Sequence, residues 1–135
     1  MSNEERFQRN TFRKAVPDLP VKSCPEALTY YCEVLGFQKE FDDAVLGFET
    51  PWFAGVARGE CALTLNQHVR EKVEHGLRVA LSCRIDDVDL LHEEYRAKGV
   101  TILRPPRNEP WGERSVSIED LNGHELTFYC PARDE

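Results

Sequence analysis

Residues 114–130 read RSVSIEDLNGHELTFYC. Two runs rich in β-branched and aromatic residues flank Asn122-Gly123, a pair that reaches positive φ at little steric cost. The stretch is therefore predicted as a β-hairpin. Just upstream, Pro110-Trp111-Gly112 sets one of the chain's two tryptophans between two breakers. Such a tryptophan is either a core plug beside a turn or part of a binding surface. A second hairpin, WFAGVARG (52–59) followed by CALTLNQ (61–67), turns at Gly59, 64 residues before Gly123.

The same spacing extends to the helices. SCPEALTYYCEVLGF (23–37) opens on a capping box of Ser23 and Glu26, with Pro25 tolerated in the first turn. Its apolar residues Ala27, Tyr30, Tyr31, Val34 and Leu35 recur at helical spacing, and Gly36 is its stop. DDVDLLHEEYRAKG (86–99) repeats the arrangement with Asp86 as cap and Val88, Leu91 and Tyr95 as apolar face. Its stop, Gly99, lies 63 residues after Gly36.

A strand precedes each helix. FRKAVPDLPVKS (12–23) carries Pro17 and Pro20, which cost ladder donors and make it an edge strand or one that leaves its own half. LRVALSCRI (77–85) is its counterpart, while FQKEF (37–41) and VTILR (100–104) follow the helices, the latter running into a proline-rich loop. Strand, helix and three strands are thus written twice, across a polar linker at 67–76 and after a flexible lead-in at 1–11. The prediction is one domain over 12–135, built of βαβββ modules at about 12–66 and 77–130.

Composition narrows the function classes. At 135 residues, 41% hydrophobic and 30% charged, the chain has the make-up of an ordinary globular domain. Its net charge of −7 argues against a sequence-independent grip on nucleic acid. The same acidity serves solubility or favours a cationic ligand. No apolar run is long enough to span a membrane, and MSNEERFQRNTFRK lacks the apolar core of a secretory signal. Five cysteines, odd in number and without a CxxC pair, read as reduced thiols of a cytoplasmic protein, four of them within apolar patterns as small core residues. Of the histidines, His68 and His75 in the linker and His92 on a helix read as surface residues, whereas His124 and Glu125 begin the last strand and could face inward.

LPVKSCPEALTYYCEVLGF (19–37), IDDVDLLHEEYRAKGV (85–100) and SIEDLNGHELTFY (117–129) together resemble the vicinal oxygen chelate superfamily of glyoxalases, extradiol dioxygenases and bleomycin resistance proteins. The resemblance implies an α+β fold in which two βαβββ repeats form a curved mixed-sheet cup with helices on the outside. It also implies that the enzymes among these proteins hold a divalent metal in the cup through His, Glu or Gln. Here the corresponding positions fall at about Val16, at Ala62 or Leu63, at Ala80 and at Thr127, none of them a usable ligand. The expectation is a chain with no metal, no cofactor and no catalytic residue. A member enzyme with a displaced metal site, and a metabolite-binding member with no link to drug resistance, are the alternatives.

Within that superfamily the chain is most similar to the bleomycin resistance proteins. AVPDL (15–19), FAGVARGECALTL (53–65) and PWGERSVSIEDLNG (110–123) carry the likeness, although Glu113 separates Gly112 from Arg114. The resemblance implies a homodimer that exchanges its N-terminal strands at Pro17, with two crevices at the subunit interface. It implies that Trp111 and Phe53 clamp a flat, cationic aromatic drug, with Phe41 lining the wall and Gly112 also a ligand-binding residue. Asp42 and Asp43 would supply charge, or are loop acids in solvent. Trp52, which has no counterpart in the motif, is a local packing residue or an extra wall. AVLGFETPW (44–52) makes this loop longer than the resistance proteins', which alters the crevice.

Overall fold

The computed structural model describes residues 1–47 and 49–134; Phe48 of the long loop and the C-terminal Glu135 lie outside the described residues. The chain begins with a single helical turn, α1 (Asn3–Phe7), capped by Ser2 Oγ, and residues 8–16 follow without regular structure. Residues 1–16 are exposed throughout, including Phe7, Phe12 and Val16.

The first module holds β1 (Asp18–Pro20), α2 (Cys24–Thr29), β2 (Gln38–Asp42), β3 (Phe53–Arg58) and β4 (Cys61–Asn66), in sheet order β1-β4-β3-β2. After α3 (Arg70–Glu74), the second module repeats the plan with β5 (Ala80–Arg84), α4 (Val88–Ala97), β6 (Thr101–Asn108), β7 (Glu113–Glu119) and β8 (Glu125–Pro131), in order β5-β8-β7-β6. In both mixed sheets the first strand runs parallel to the last and the other pairings are antiparallel. The fold is the expected α+β arrangement of two βαβββ units.

Most local signals hold. Ser23 Oγ accepts from Glu26 N, and Gly36 and Gly99 take φ of 81° and 76° where a side chain would be strained. Four details differ. The cap of α4 is Asp87, whose Oδ1 accepts from Leu90 N; Asp86 stands one residue too early to reach that amide. Beyond Thr29 the first helix loosens into a π turn over Tyr30–Val34, where Leu35 N reaches back to Tyr30 O. The 67–76 linker folds into a 3-10 turn and α3, because Val73, its buried apolar residue, docks on the body among charged neighbours. Finally, β6 continues through Pro105 and Pro106. As an edge strand it tolerates the missing donors, and its register breaks between Arg104 and Arg107 to accommodate them.

One hydrophobic cluster joins the modules, with Leu19, Tyr31, Leu35, Val56 and Leu65 from the first and Val88, Tyr95, Ile118, Leu126 and Phe128 from the second. Polar groups stitch the same seam. Tyr31 donates its hydroxyl to Asp120 Oδ2 at 2.7 Å, and Tyr95 donates to Leu35 O at 2.8 Å. The Arg58 guanidinium forks onto Glu94 at 2.7 and 2.9 Å. His124, fully buried, accepts from Val79 N at Nδ1, so its ring proton sits on Nε2 and goes to Pro20 O. Tyr31, Tyr95, Arg58 and His124 thus each bond across the modules.

Candidate functional site

Along β4 and β8 buried residues alternate with half-buried ones, so each sheet has a core face and a more open face. On β3, Ala54 and Val56 are fully buried, so Phe53, Gly55 and Ala57 point to the open face. The Phe41 ring, half exposed, lies directly over Gly55, where a Cβ would collide with it. Phe41 and Phe53 pack at 5.8 Å between centroids, tilted by 42°. The first module thus presents an aromatic shelf. Gly55→Ala is expected to push the Phe41 ring aside. Its unfolding free energy should stay within about 1 kcal/mol of wild type in urea titrations.

The loop feeding that shelf is pinned by Asp43. Its Oδ1 accepts from Trp52 N at 2.8 Å and Phe53 N at 3.1 Å, and Oδ2 meets His68 Nε2 at 2.8 Å. Asp42 caps the following turn through Ala44 N and pairs with Lys39. Both carboxylates are engaged by the chain itself, which leaves little of either for a ligand's charge. Trp52 is likewise used locally, its ring 5.5 Å from that of His68 and under the Arg70 guanidinium at 5.4 Å. The linker histidine His68 therefore belongs to a built cluster.

Burial works to raise the Asp43 pKa, but the bonds from His68, Trp52 N and Phe53 N prevail and hold it below the ordinary 3.8. Arg114 lowers Asp89, and Arg58 lowers Glu94 below 4.5, in the same way. A carboxyl depressed in the folded state stabilises the fold above its unfolded pKa and loses that contribution as pH falls toward its folded pKa. Stability should accordingly decline on acidification through 4.5 and 3.8, and Asp43→Asn should flatten part of that slope in pH-dependent unfolding.

Trp111 stands on a tight turn in which Gly112 N bonds Glu109 O at 3.1 Å and Gly112 takes φ 94°, a conformation glycine adopts freely. It is two-thirds exposed, so it is no core plug, and its indole N–H donates to Glu113 at 2.7 Å, which orients the ring. The buried anchor of this turn is Glu109, which accepts from Arg104, Arg107 and Ser115 through one oxygen. Its role was hidden from the sequence because its partners come from β6 and β7. Within one chain, among the described residues, Trp111 makes no ring contact with Phe53 or Phe41, which belong to the other sheet.

Of the positions the resemblance pointed to for a metal, Ala62, Ala80 and Thr127 lie on the open face by strand alternation, and two do not. Val16 precedes β1 and lies outside any strand, while Leu63 is core. Judged by register, the open-face positions near the centre are Asp18 and Thr64 in the first sheet and Ser82 and Thr127 in the second. This set holds one carboxylate, already bonded by Thr64 and Asn66, and does not fit a divalent metal. The inward-facing metal role considered for His124 fails, since both ring nitrogens are used within the fold. Cys24 and Cys130 are buried, and burial pushes the Cys24 thiol up to about 12, which suits packing rather than nucleophilic chemistry. A groove of about 710 Å³ opens between β4, β5 and α4, bordered by Ala62, Leu63, Ser82, Arg84, Leu91 and Glu94.

Comparison with known proteins extends the picture. The family model described as the Glyoxalase/Bleomycin resistance protein/Dioxygenase superfamily matches residues 13–128. Among solved structures, the chain is similar to a bleomycin-binding protein from bleomycin-producing Streptomyces verticillus complexed with copper(II)-bleomycin. The identity is 26% and the TM-score 0.68, covering 93% of this chain and 99% of that one. It is also similar to an antibiotic binding protein from Streptomyces sp. CB03234, at 26% identity and TM-score 0.71 over 91% and 100% of the two chains. A bleomycin resistance determinant encoded on the transposon Tn5 shares the fold, with 21% identity and TM-score 0.73 over 90% and 100%. No curated protein matches the chain. No helix among the described residues is long and apolar enough to cross a membrane.

Proposed function

Because the chain belongs to the glyoxalase/bleomycin resistance protein/dioxygenase superfamily, we propose that it is a binding protein that sequesters a flat aromatic antibiotic of the bleomycin kind. The observation that carries this reading is Trp111, an exposed and oriented indole on a turn anchored by buried Glu109. The shelf of Phe41 and Phe53 is the complementary jaw. Large flat rings give contact area at low entropic cost, and stacking adds about 0.5–1.5 kcal/mol beyond burial. The similarity to two antibiotic-binding proteins at 26% identity supports the ligand class.

The two jaws sit on different sheets of one chain, so the clamp closes between chains: Trp111 of one subunit against Phe53 of its twin. Residues 1–16 supply the means of pairing, since the seven residues 10–16 can span about 24 Å when extended and the arm exposes Phe7, Phe12 and Val16. Pro17 marks where the arm departs, its carbonyl still bonded to Thr64 N. Deleting residues 1–16 is expected to turn a dimer into a monomer in light scattering. Unpaired thiols suit a reducing, cytoplasmic setting.

Calorimetric titration with a bleomycin-type drug tests the function. The expected result is saturable binding at one drug per chain. No heat up to high micromolar drug, or a stoichiometric divalent metal in protein purified without chelator, contradicts it.

A further inference from the structure

The two modules carry the same four open-face positions, and comparing them exposes an unfilled role. In the first module Asp18 pairs with Thr64 and Pro20 with Asn66. Asp18 accepts from Thr64 Oγ1 at 2.6 Å and from Asn66 Nδ2 at 3.2 Å, so a carboxylate of the chain satisfies both donors. The helix caps Ser23 and Asp87, 64 residues apart, set the correspondence. Asp18 then becomes Ser82, Pro20 becomes Arg84, and Thr64 and Asn66 become Thr127 and Tyr129. The donors remain and the carboxylate is gone.

In the second module, Ser82 pairs with Thr127 and Arg84 with Tyr129, making a two-by-two block on adjacent strands. Thr127 shares one hydrogen bond with Ser117, which in turn accepts from Arg104. Among the described residues, the side chains of Ser82, Arg84 and Tyr129 donate to no protein group. The other strand-borne arginines, Arg58, Arg104, Arg107 and Arg114, each bond a carboxylate. Ser82 and Arg84 border the groove between β4, β5 and α4. The nearby acids are Glu125, one register row away, and Glu60, Asp86, Asp87 and Glu94 along the groove, of which Asp87 is bonded to Leu90 N and Arg133 and Glu94 to Arg58.

We propose that Ser82, Arg84, Thr127 and Tyr129 form an anion subsite on the open face of the second sheet, the sheet that also carries the Trp111 turn, so that the ligand crevice also accepts an anionic oxygen group, such as a carboxylate or sulfonate, on an aromatic compound. A guanidinium grips two such oxygens at once, and the hydroxyls bond the rest. The inference rests on the aromatic clamp and adds an anionic group to what the crevice accepts, Asp42 and Asp43 being engaged by the loop.

The test measures binding of anthraquinone-2-sulfonate and its neutral 2-hydroxymethyl analogue to the full chain, by calorimetry at low salt. The sulfonate is expected to bind roughly tenfold tighter, with the preference shrinking as salt rises. Arg84→Gln should reduce the preference to about twofold or less, while Trp111→Ala weakens both probes and keeps it. Equal affinity for the two probes, with binding still dependent on Trp111, overturns the subsite and leaves the clamp standing. A preference that survives Arg84→Gln also overturns it. Binding of neither probe overturns the clamp and the subsite together.

Discussion

Trp111→Ala is expected to weaken binding of the aromatic ligand by roughly tenfold or more, with the melting temperature unchanged. An indole buried on both faces by a ligand contributes about 1.5–3 kcal/mol of apolar burial in addition to stacking, and tenfold in affinity is about 1.4 kcal/mol. The ring is two-thirds exposed in the chain and its one bond is to Glu113, so its removal leaves no cavity. Phe53→Ala removes the opposing jaw and should cost a similar factor, although Phe41 remains to cover part of the shelf. Calorimetry on both variants decides the point. Unchanged affinity in both would sink the clamp.

Asp120→Ala is expected to be the most damaging substitution for stability, by about 3 kcal/mol in urea unfolding. Asp120 is buried and accepts three bonds, from Asn122 N, His124 N and the Tyr31 hydroxyl. Two of these shape the Asn122-Gly123 turn and the third crosses between modules. Burial, reinforced by Asp120, raises the Tyr31 pKa well above the ordinary range, so the hydroxyl keeps its proton and needs an acceptor. Tyr31→Phe removes that need and should cost about 1–2 kcal/mol, and the double variant should cost less than the sum. Additive effects would show that the two side chains do not act as a pair.

What the sequence disclosed was what is local. Helix stops at Gly36 and Gly99, turns at Gly59 and Gly123 and the cap at Ser23 each depend on a few neighbouring residues, and their common offset exposed the repeat. The features it concealed depend on distant partners. Nothing in QHVREKVEHG announces that His68 closes on Asp43, 25 residues away, or that Val73 is buried. Pro105 and Pro106 read as a loop because the edge position that excuses them is a property of the whole sheet. Val16 was placed in a strand that begins at Asp18, and the short β1 leaves room for only one open-face residue before Pro20. For the candidate site, Trp111, Phe53 and Phe41 enter by resemblance alone, whereas Glu109, which anchors the Trp111 turn, is visible only through three side chains it gathers.

The claim that the clamp closes between subunits is tested most directly by mixing two defective proteins. Trp111→Ala and Phe53→Ala are each expected to lose tight binding alone. After subunit exchange, each mixed dimer pairs an intact Trp111 from one chain with an intact Phe53 from the other in one of its two crevices. Titration of the equimolar mixture should then recover wild-type affinity at about a quarter of wild-type capacity, because half the dimers are mixed and half their crevices intact. Exchange without any recovery of binding would contradict the account.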